Sequence, residues 1–166
     1  RRGIDGGKIE VITNGVDISQ FKPRPKDPEL TEKLGMKGKF VAGYIGTHGL
    51  AHGLETLLEA ADRLRGQDFV FLFLGDGARK EALKQMAADK KLDNVVFVDS
   101  VSKADVARYW SLLDVSVIHL KKTDLFTTVI PSKLFESMGM GLPILHGVEG
   151  ESADIVREEG AGIPFE

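Results

Sequence analysis

Two side chains in the stretch Ile130-Pro-Ser-Lys-Leu-Phe-Glu-Ser-Met-Gly-Met-Gly-Leu-Pro-Ile144 have the types and spacing for anion chemistry. Lys133 carries a positive charge, and Glu136 follows one helical turn on, on a similar face. Pro131 suits the first turn of a helix, where its missing N–H costs nothing. The free amides of such a turn and the helix dipole favour an anion. A cation at a helix start with a carboxylate one turn deeper can grip a nucleoside diphosphate, phosphates outside and ribose hydroxyls inside. The same spacing also describes an ordinary surface Lys–Glu pair, so the elements around it must decide.

Those elements are legible as alternation and apolar runs. Residues 8–13 alternate in strand fashion and Asn14-Gly15 signals a turn. Residues 16–39, with Pro23, Pro25 and Pro28, read as a linker carrying one short helix over 29–34, with Phe21 as an anchor onto the domain. Phe40–Ile45 and Phe69–Leu74 are continuous apolar runs, the mark of strands covered on both faces. Shorter strands are expected at 94–98, 114–118 and 142–145, and one starts at 160–163. Between them lie helical patterns: Leu54, Leu57, Leu58, Ala61 and Leu64; Leu83, Met86 and Ala87; Val106, Tyr109 and Trp110 after Ser102 as N-cap; and 152–159. Buried strands alternating with amphipathic helices predict an α/β fold, a Rossmann-like parallel sheet of about six strands with helices on both faces. Residues 1–25 are expected to be a linker with a first strand, and 26–166 the domain.

In such sheets ligands bind beyond the carboxyl ends of the strands. The loops that should converge there are 46–53, 75–77, 98–102, 119–132 and 146–151, and Lys133 stands among them. Gly46, Thr47, His48 and Gly49 belong to a Gly-x-x-Gly-x-x-x-Gly loop that lets backbone amides approach a phosphate. The loop matches neither the dinucleotide fingerprint nor a P-loop, and a tight strand-to-helix turn would look the same. His48 and His52 are spaced as a metal pair, but no third ligand has matching spacing, so no metal is expected. Gly75-Asp-Gly77 reads as a helix-entry turn. Val98, Ser100 and Val101 could receive a flat base through backbone groups. Thr127 and Thr128, with Ser132 at the helix start, could offer amides or hydroxyls to a sugar. No acid–base constellation emerges that would run hydrolysis unaided.

Composition excludes several classes. Of 166 residues, 42% are hydrophobic and 28% charged, which is ordinary for a globular chain. A net charge of -3, with a single Trp and two Tyr, argues against nucleic acid as a partner. The absence of cysteine removes a disulfide framework and a thiol nucleophile, and fits a reducing compartment. No apolar run reaches the roughly 20 residues of a membrane span. Arg1 and Arg2, followed by glycines and charges, do not read as a signal peptide, and both ends read as cut within a larger protein.

Taken in order, a set of short motifs resembles a known family. They are Ile12-Thr-Asn-Gly-Val-Asp17 with Phe21, Tyr44-Ile-Gly-Thr-His-Gly-Leu50, Phe73-Leu-Gly-Asp-Gly77, Asn94-Val-Val-Phe97, Tyr109 with Asp114, Ile130-Pro-Ser-Lys-Leu-Phe-Glu136 and Gly141-Leu-Pro-Ile144. The chain resembles the C-terminal, donor-binding domain of a GT-B fold glycosyltransferase of the retaining family 4 type. It is most similar to the bacterial subgroup that builds cell-surface polysaccharide, hexosyl and amino-sugar transferases included. The resemblance implies that Glu136 holds the ribose, and that Lys133 and the amides around it meet the diphosphate of a UDP- or GDP-linked sugar. Gly46 to Gly49 would line the phosphate side and Val98 to Val101 the base. It further implies no metal or other cofactor, and a glycan or lipid-linked acceptor bound by a separate N-terminal domain. The site would be cytoplasmic, with the whole enzyme peripheral at the inner membrane face. Thr128 stands where many members carry a sugar-contacting glutamate, and Thr47 and His52 roughly where many carry Arg and Lys. A sugar-nucleotide epimerase of related architecture and a non-catalytic Rossmann-like binding module remain as alternatives.

Overall fold

The computed structural model describes residue 3 and residues 5–165; Arg1, Arg2, Ile4 and Glu166 lie outside them. Six strands form the sheet: β1 Phe40–Ile45, β2 Phe69–Leu74, β3 Val95–Val98, β4 Val115–His119, β5 Ile144–Gly147 and β6 Gly162–Pro164. Six α-helices accompany them: α1 Pro28–Lys33, α2 Glu55–Arg63, α3 Lys80–Asp89, α4 Val106–Trp110, α5 Lys133–Gly139 and α6 Glu151–Glu158. Every pairing is parallel, in the order β3-β2-β1-β4-β5-β6. The expected α/β class and parallel sheet are therefore present, and the order reverses between β1 and β4.

Pleating explains why the sheet is buried on both faces. Val41, Ile45, Val70, Leu72 and Leu74 point to one side, where Trp110 and Leu113 cover them. Ala42, Tyr44, Phe71 and Phe73 point to the other, under Leu57, Leu58 and Leu83 of α2 and α3. A third cluster, Ile118, Leu134, Ile144 and Val156, packs α5 and α6 against β4 and β5. Each such fully buried side chain contributes about 2 kcal/mol.

The first forty residues depart from expectation. Residues 8–13 form no strand: Ile9, Val11 and Ile12 are 59%, 82% and 89% exposed, and no sheet edge pairs with them. Alternation marks a residue pattern, but a strand also needs a neighbour for its N–H and C=O groups. The turn falls at Asp17 rather than at Asn14-Gly15. The Asp17 carboxylate accepts from the Ser19 amide at 2.9 Å, and its carbonyl accepts from the Gln20 and Phe21 amides. This is an Asx turn, which a short carboxylate closes on its own backbone. Phe21 is buried as an anchor, together with Leu30 and Met36. Asp27 caps α1 one residue ahead of the expected start, accepting from the Leu30 amide at 3.0 Å, with Pro28 in the first turn. Lys26 pairs with Asp114 at 2.5 Å, and Arg108 with Asp27 at 2.7 Å, so residues 26–39 are bound to the domain rather than loose. Ser102 caps the turn that leads to α4, not α4 itself; its Oγ accepts from the Asp105 amide at 3.2 Å.

Candidate functional site

A crevice opens where the strand order reverses. β1 and β2 stay in register from Phe40–Phe69 to Ile45–Leu74, whereas β1 and β4 pair only at Ala42–Val115 and Gly43–Ser116. Beyond those pairs the two strands no longer pair. The resulting cleft, about 410 Å³, has Ile45, Gly46 and Thr47 on one wall and Ile118, His119 and Leu120 on the other. Val129, Pro131, Ser132, Lys133 and Glu136 close it. Lys133, Glu136, Ser132, Gly46 and Thr47 are thus brought together from the residues expected to act as a site.

Lys133 is half-buried in this arrangement. Its Nζ sits 3.8 Å from the centroid of the Tyr44 ring. It also lies directly over Gly46, where a Cβ would stand 2.8 Å from that nitrogen, and Gly46 has φ +143°. Burial pushes the Lys133 ammonium down to about 7, while the Glu136 carboxylate pulls in the other direction. Burial pushes the Glu136 carboxyl up, opposed by Lys133. Both charges are therefore held in an environment that disfavours them until a partner arrives. An anion at Lys133 would restore the full ammonium.

The helix start differs in detail from expectation. Pro131 stands ahead of α5, and the first turn is tight: the Leu134 amide donates to Pro131 and the Phe135 and Glu136 amides to Ser132. With α5 only Lys133–Gly139, little dipole is available, and the Lys133 side chain supplies most of the positive field.

The other expected residues are dispersed. The His48 ring is fully buried between Tyr44, Phe73 and Phe97, with centroids 6.0, 6.2 and 6.5 Å away. Its amide donates to Asp76 and its carbonyl accepts from Arg79, so it packs behind the cleft instead of lining it. Burial pushes this imidazole down to about 4, and neither ring nitrogen has a partner. Gly49 precedes the 3-10 turn Leu50–His52, and a Cβ on it would meet the His52 ring at 3.2 Å. Val98, Ser100 and Val101 stand at the end of β3, two strands from β1 and outside the cleft. Thr127 lines a neighbouring hollow of about 390 Å³ that shares His119 and Leu120 with the cleft; Thr128 is exposed and lines neither.

His119 had no sequence signal of its own, Tyr44 stood only as the start of a family motif, and His52 only as the spacing partner of His48. The Tyr44 hydroxyl donates to the Thr47 carbonyl at 2.9 Å. His119 Nδ1 lies 2.6 Å from the His52 carbonyl oxygen, and its ring stacks on Phe165 at 5.9 Å. A strand-end histidine and a buried strand tyrosine look like core until the walls are seen to meet. Among the described residues no cluster of three or more metal-binding side chains exists, and no helix is long and apolar enough to cross a membrane.

Residues 39–166 match the family described as Glycosyl transferases group 1. The chain belongs to that glycosyltransferase family. It is 33% identical over 144 residues to WcaI of Escherichia coli, named for colanic acid biosynthesis, covering 84% of this chain and 35% of the relative. The glycosyltransferase chain spans 34% to 40% of the length of the first curated relatives it matches. Among solved structures it superposes on HepE of Anabaena in complex with UDP-glucose with a TM-score of 0.76 at 23% identity, covering 98% of this chain and 45% of that one. It superposes on the C-terminal domain of a group 1 glycosyl transferase, LpcC of Francisella tularensis, with a TM-score of 0.65 at 19% identity, covering 87% and 85%. At these identities the structural likeness is one of fold.

Proposed function

We propose that this glycosyltransferase chain is the donor-binding, C-terminal part of a retaining enzyme of surface polysaccharide biosynthesis. Residues 26–166 would form the binding domain and residues 1–25 the link to an N-terminal domain that carries the acceptor. The observation that carries the reading is the placement of Lys133 and Glu136 in one cleft with the Gly46–Thr47 backbone, at the switch point of the sheet. Support comes also from the likeness in fold to HepE, solved with UDP-glucose, and to an isolated C-terminal domain.

In this reading the Lys133 ammonium meets the diphosphate of a UDP- or GDP-linked sugar and Glu136 accepts from the ribose hydroxyls. As the bond to the sugar breaks, charge grows on the departing diphosphate, and a cation in a low-dielectric cleft stabilises it without a metal or other cofactor. The sugar would extend toward the hollow beside Thr127. The full enzyme would act on a glycan or lipid-linked acceptor from the cytoplasmic side, peripheral to the inner membrane. The chain alone would bind nucleotide without transferring sugar.

Calorimetry with UDP, GDP and ADP on the wild type and on Glu136→Ala tests this. One diphosphate should bind, with its affinity reduced roughly tenfold in the variant, as expected for hydrogen bonds to a charged group. Pyrophosphate, which has no ribose, should bind both proteins alike. Equal loss of UDP and pyrophosphate affinity would remove Glu136 from the ribose, and sugar transfer by this chain alone would refute the division of labour.

A further inference from the structure

We propose that Tyr44 is the positioning residue for Lys133: its buried ring seats the amine over Gly46 and so sets where the donor's diphosphate is met. The inference rests on the donor-binding reading of the cleft. A lysine side chain has four rotatable carbons and, at a cleft, many places to put its charge. Here the Nζ is 3.8 Å from the Tyr44 centroid, a distance at which the electron-rich face of the ring attracts a cation. Two further features show that the seat is built. Tyr44 is 0% exposed and cannot swing away, because its hydroxyl is tied to the Thr47 carbonyl at 2.9 Å. Gly46 leaves open the space that the amine fills, since a Cβ there would sit 2.8 Å from Nζ. One side chain therefore fixes both the cation and the backbone of the loop that forms the opposite lip of the cleft.

The chemistry explains why an aromatic seat suits this task better than a carboxylate. A carboxylate in contact would neutralise Lys133 and compete with the incoming phosphate. A ring holds the charge in place without supplying a counter-charge, so the ammonium keeps its capacity for the ligand. The titratable groups around the amine are Glu136 from α5, His48 and His52 from the loop after β1, and His119 across the cleft from β4. His48 is neutral in its aromatic pocket, and Glu136 is the one among them that attracts the ammonium.

The test replaces Tyr44 by phenylalanine and then by mono-, di- and trifluorophenylalanine, which drain the ring face of charge with little change of shape. The Lys133 Nζ titration is followed by nitrogen NMR in the free protein, assigned with Lys133→Arg. The proposal takes Tyr44→Phe, which lacks the tie to Thr47, as the reference and expects the midpoint to fall stepwise from it with each fluorine. UDP affinity at pH 7.5 should weaken in parallel, roughly tenfold across the series. A midpoint unmoved by fluorination overturns the proposal, because a purely structural tyrosine would give that result. If the wild type binds none of UDP, GDP and ADP, the donor-binding reading fails, while the titration of the free protein still decides whether Tyr44 seats Lys133.

Discussion

Two lysines stand at the carboxyl edge of the same sheet, and the molecule treats them in opposite ways. Lys80 is 3% exposed and fully used: its Nζ donates to the Gly75 carbonyl at 2.7 Å, the Val98 carbonyl at 3.3 Å and Asp99 at 2.5 Å. It pins the ends of β2 and β3 together. Lys133, across the switch point, has a ring beneath it and a carboxylate one turn away. Burial depresses its charge, and no close acceptor compensates. The first lysine holds structure because its hydrogen-bonding capacity is spent inside the protein. The second is available to a ligand because its capacity is not. Equal charge at the same sheet edge therefore says little about role until burial and partners are counted.

The sharpest way to break the comparison is at the point where the two regions touch. Gly75 has φ +144°, and a Cβ on it would lie 1.9 Å from the Gly46 carbonyl oxygen. Gly75→Ala should destabilise the fold by roughly 4 kcal/mol, lowering both thermal midpoint and ligand binding. Lys133→Ala should weaken diphosphate binding by roughly 10–100-fold with the thermal midpoint kept, the signature of a lost charge-assisted contact. Lys80→Met should do the reverse: about 2 kcal/mol of stability lost, because the Gly75 carbonyl and the Asp99 carboxylate lose their donor, with affinity within about twofold of wild type. Chemical denaturation and calorimetry on the same two variants separate these outcomes. If Lys80→Met loses binding and keeps stability, the two roles are exchanged.

The most gradual expected effect is in pH. Burial pushes Lys133 down to about 7, and a bound anion favours its charged form. Diphosphate affinity should therefore fall as pH rises from 7 to 9, by up to about tenfold per unit, with proton uptake on binding in that window. The folding sign is opposite. The unfolded chain keeps an ordinary lysine, so it binds the proton that the folded chain releases above about 7. This group's contribution to stability is least favourable below that value and improves as pH rises through the window. Lys133→Met should accordingly stabilise the fold more at pH 6 than at pH 9, as measured by thermal melts.

Much of this was legible beforehand. Phe40–Ile45 and Phe69–Leu74 could only be strands covered on both faces, because a run of apolar residues that short has no polar side to offer to water. Gly75 and Gly46 marked the strand ends, while the spacing of Lys133 and Glu136 fitted a surface pair equally well and gained meaning only from its place at the carboxyl edge of the sheet. The failures have a common cause. Ile9, Val11 and Ile12 alternate like a strand, yet no strand lies beside them. His48 sits in a glycine-rich loop like a ligand contact, yet its ring turns into Phe73 and Phe97. His119 carried no motif and still lines both cavities.

Local sequence by itself determined the strands and helices from Phe40 onward, though not the fate of residues 8–13, and where charge and glycine coincide, because side-chain burial and backbone freedom are written residue by residue. Tertiary structure alone decided that β1 and β4 stop pairing after two pairs, that Tyr44 lies under Lys133, and that Val98 to Val101 end two strands away from the cleft. Those facts depend on strand order and on which faces the crossovers cover, properties of distant segments packed together that no local pattern records.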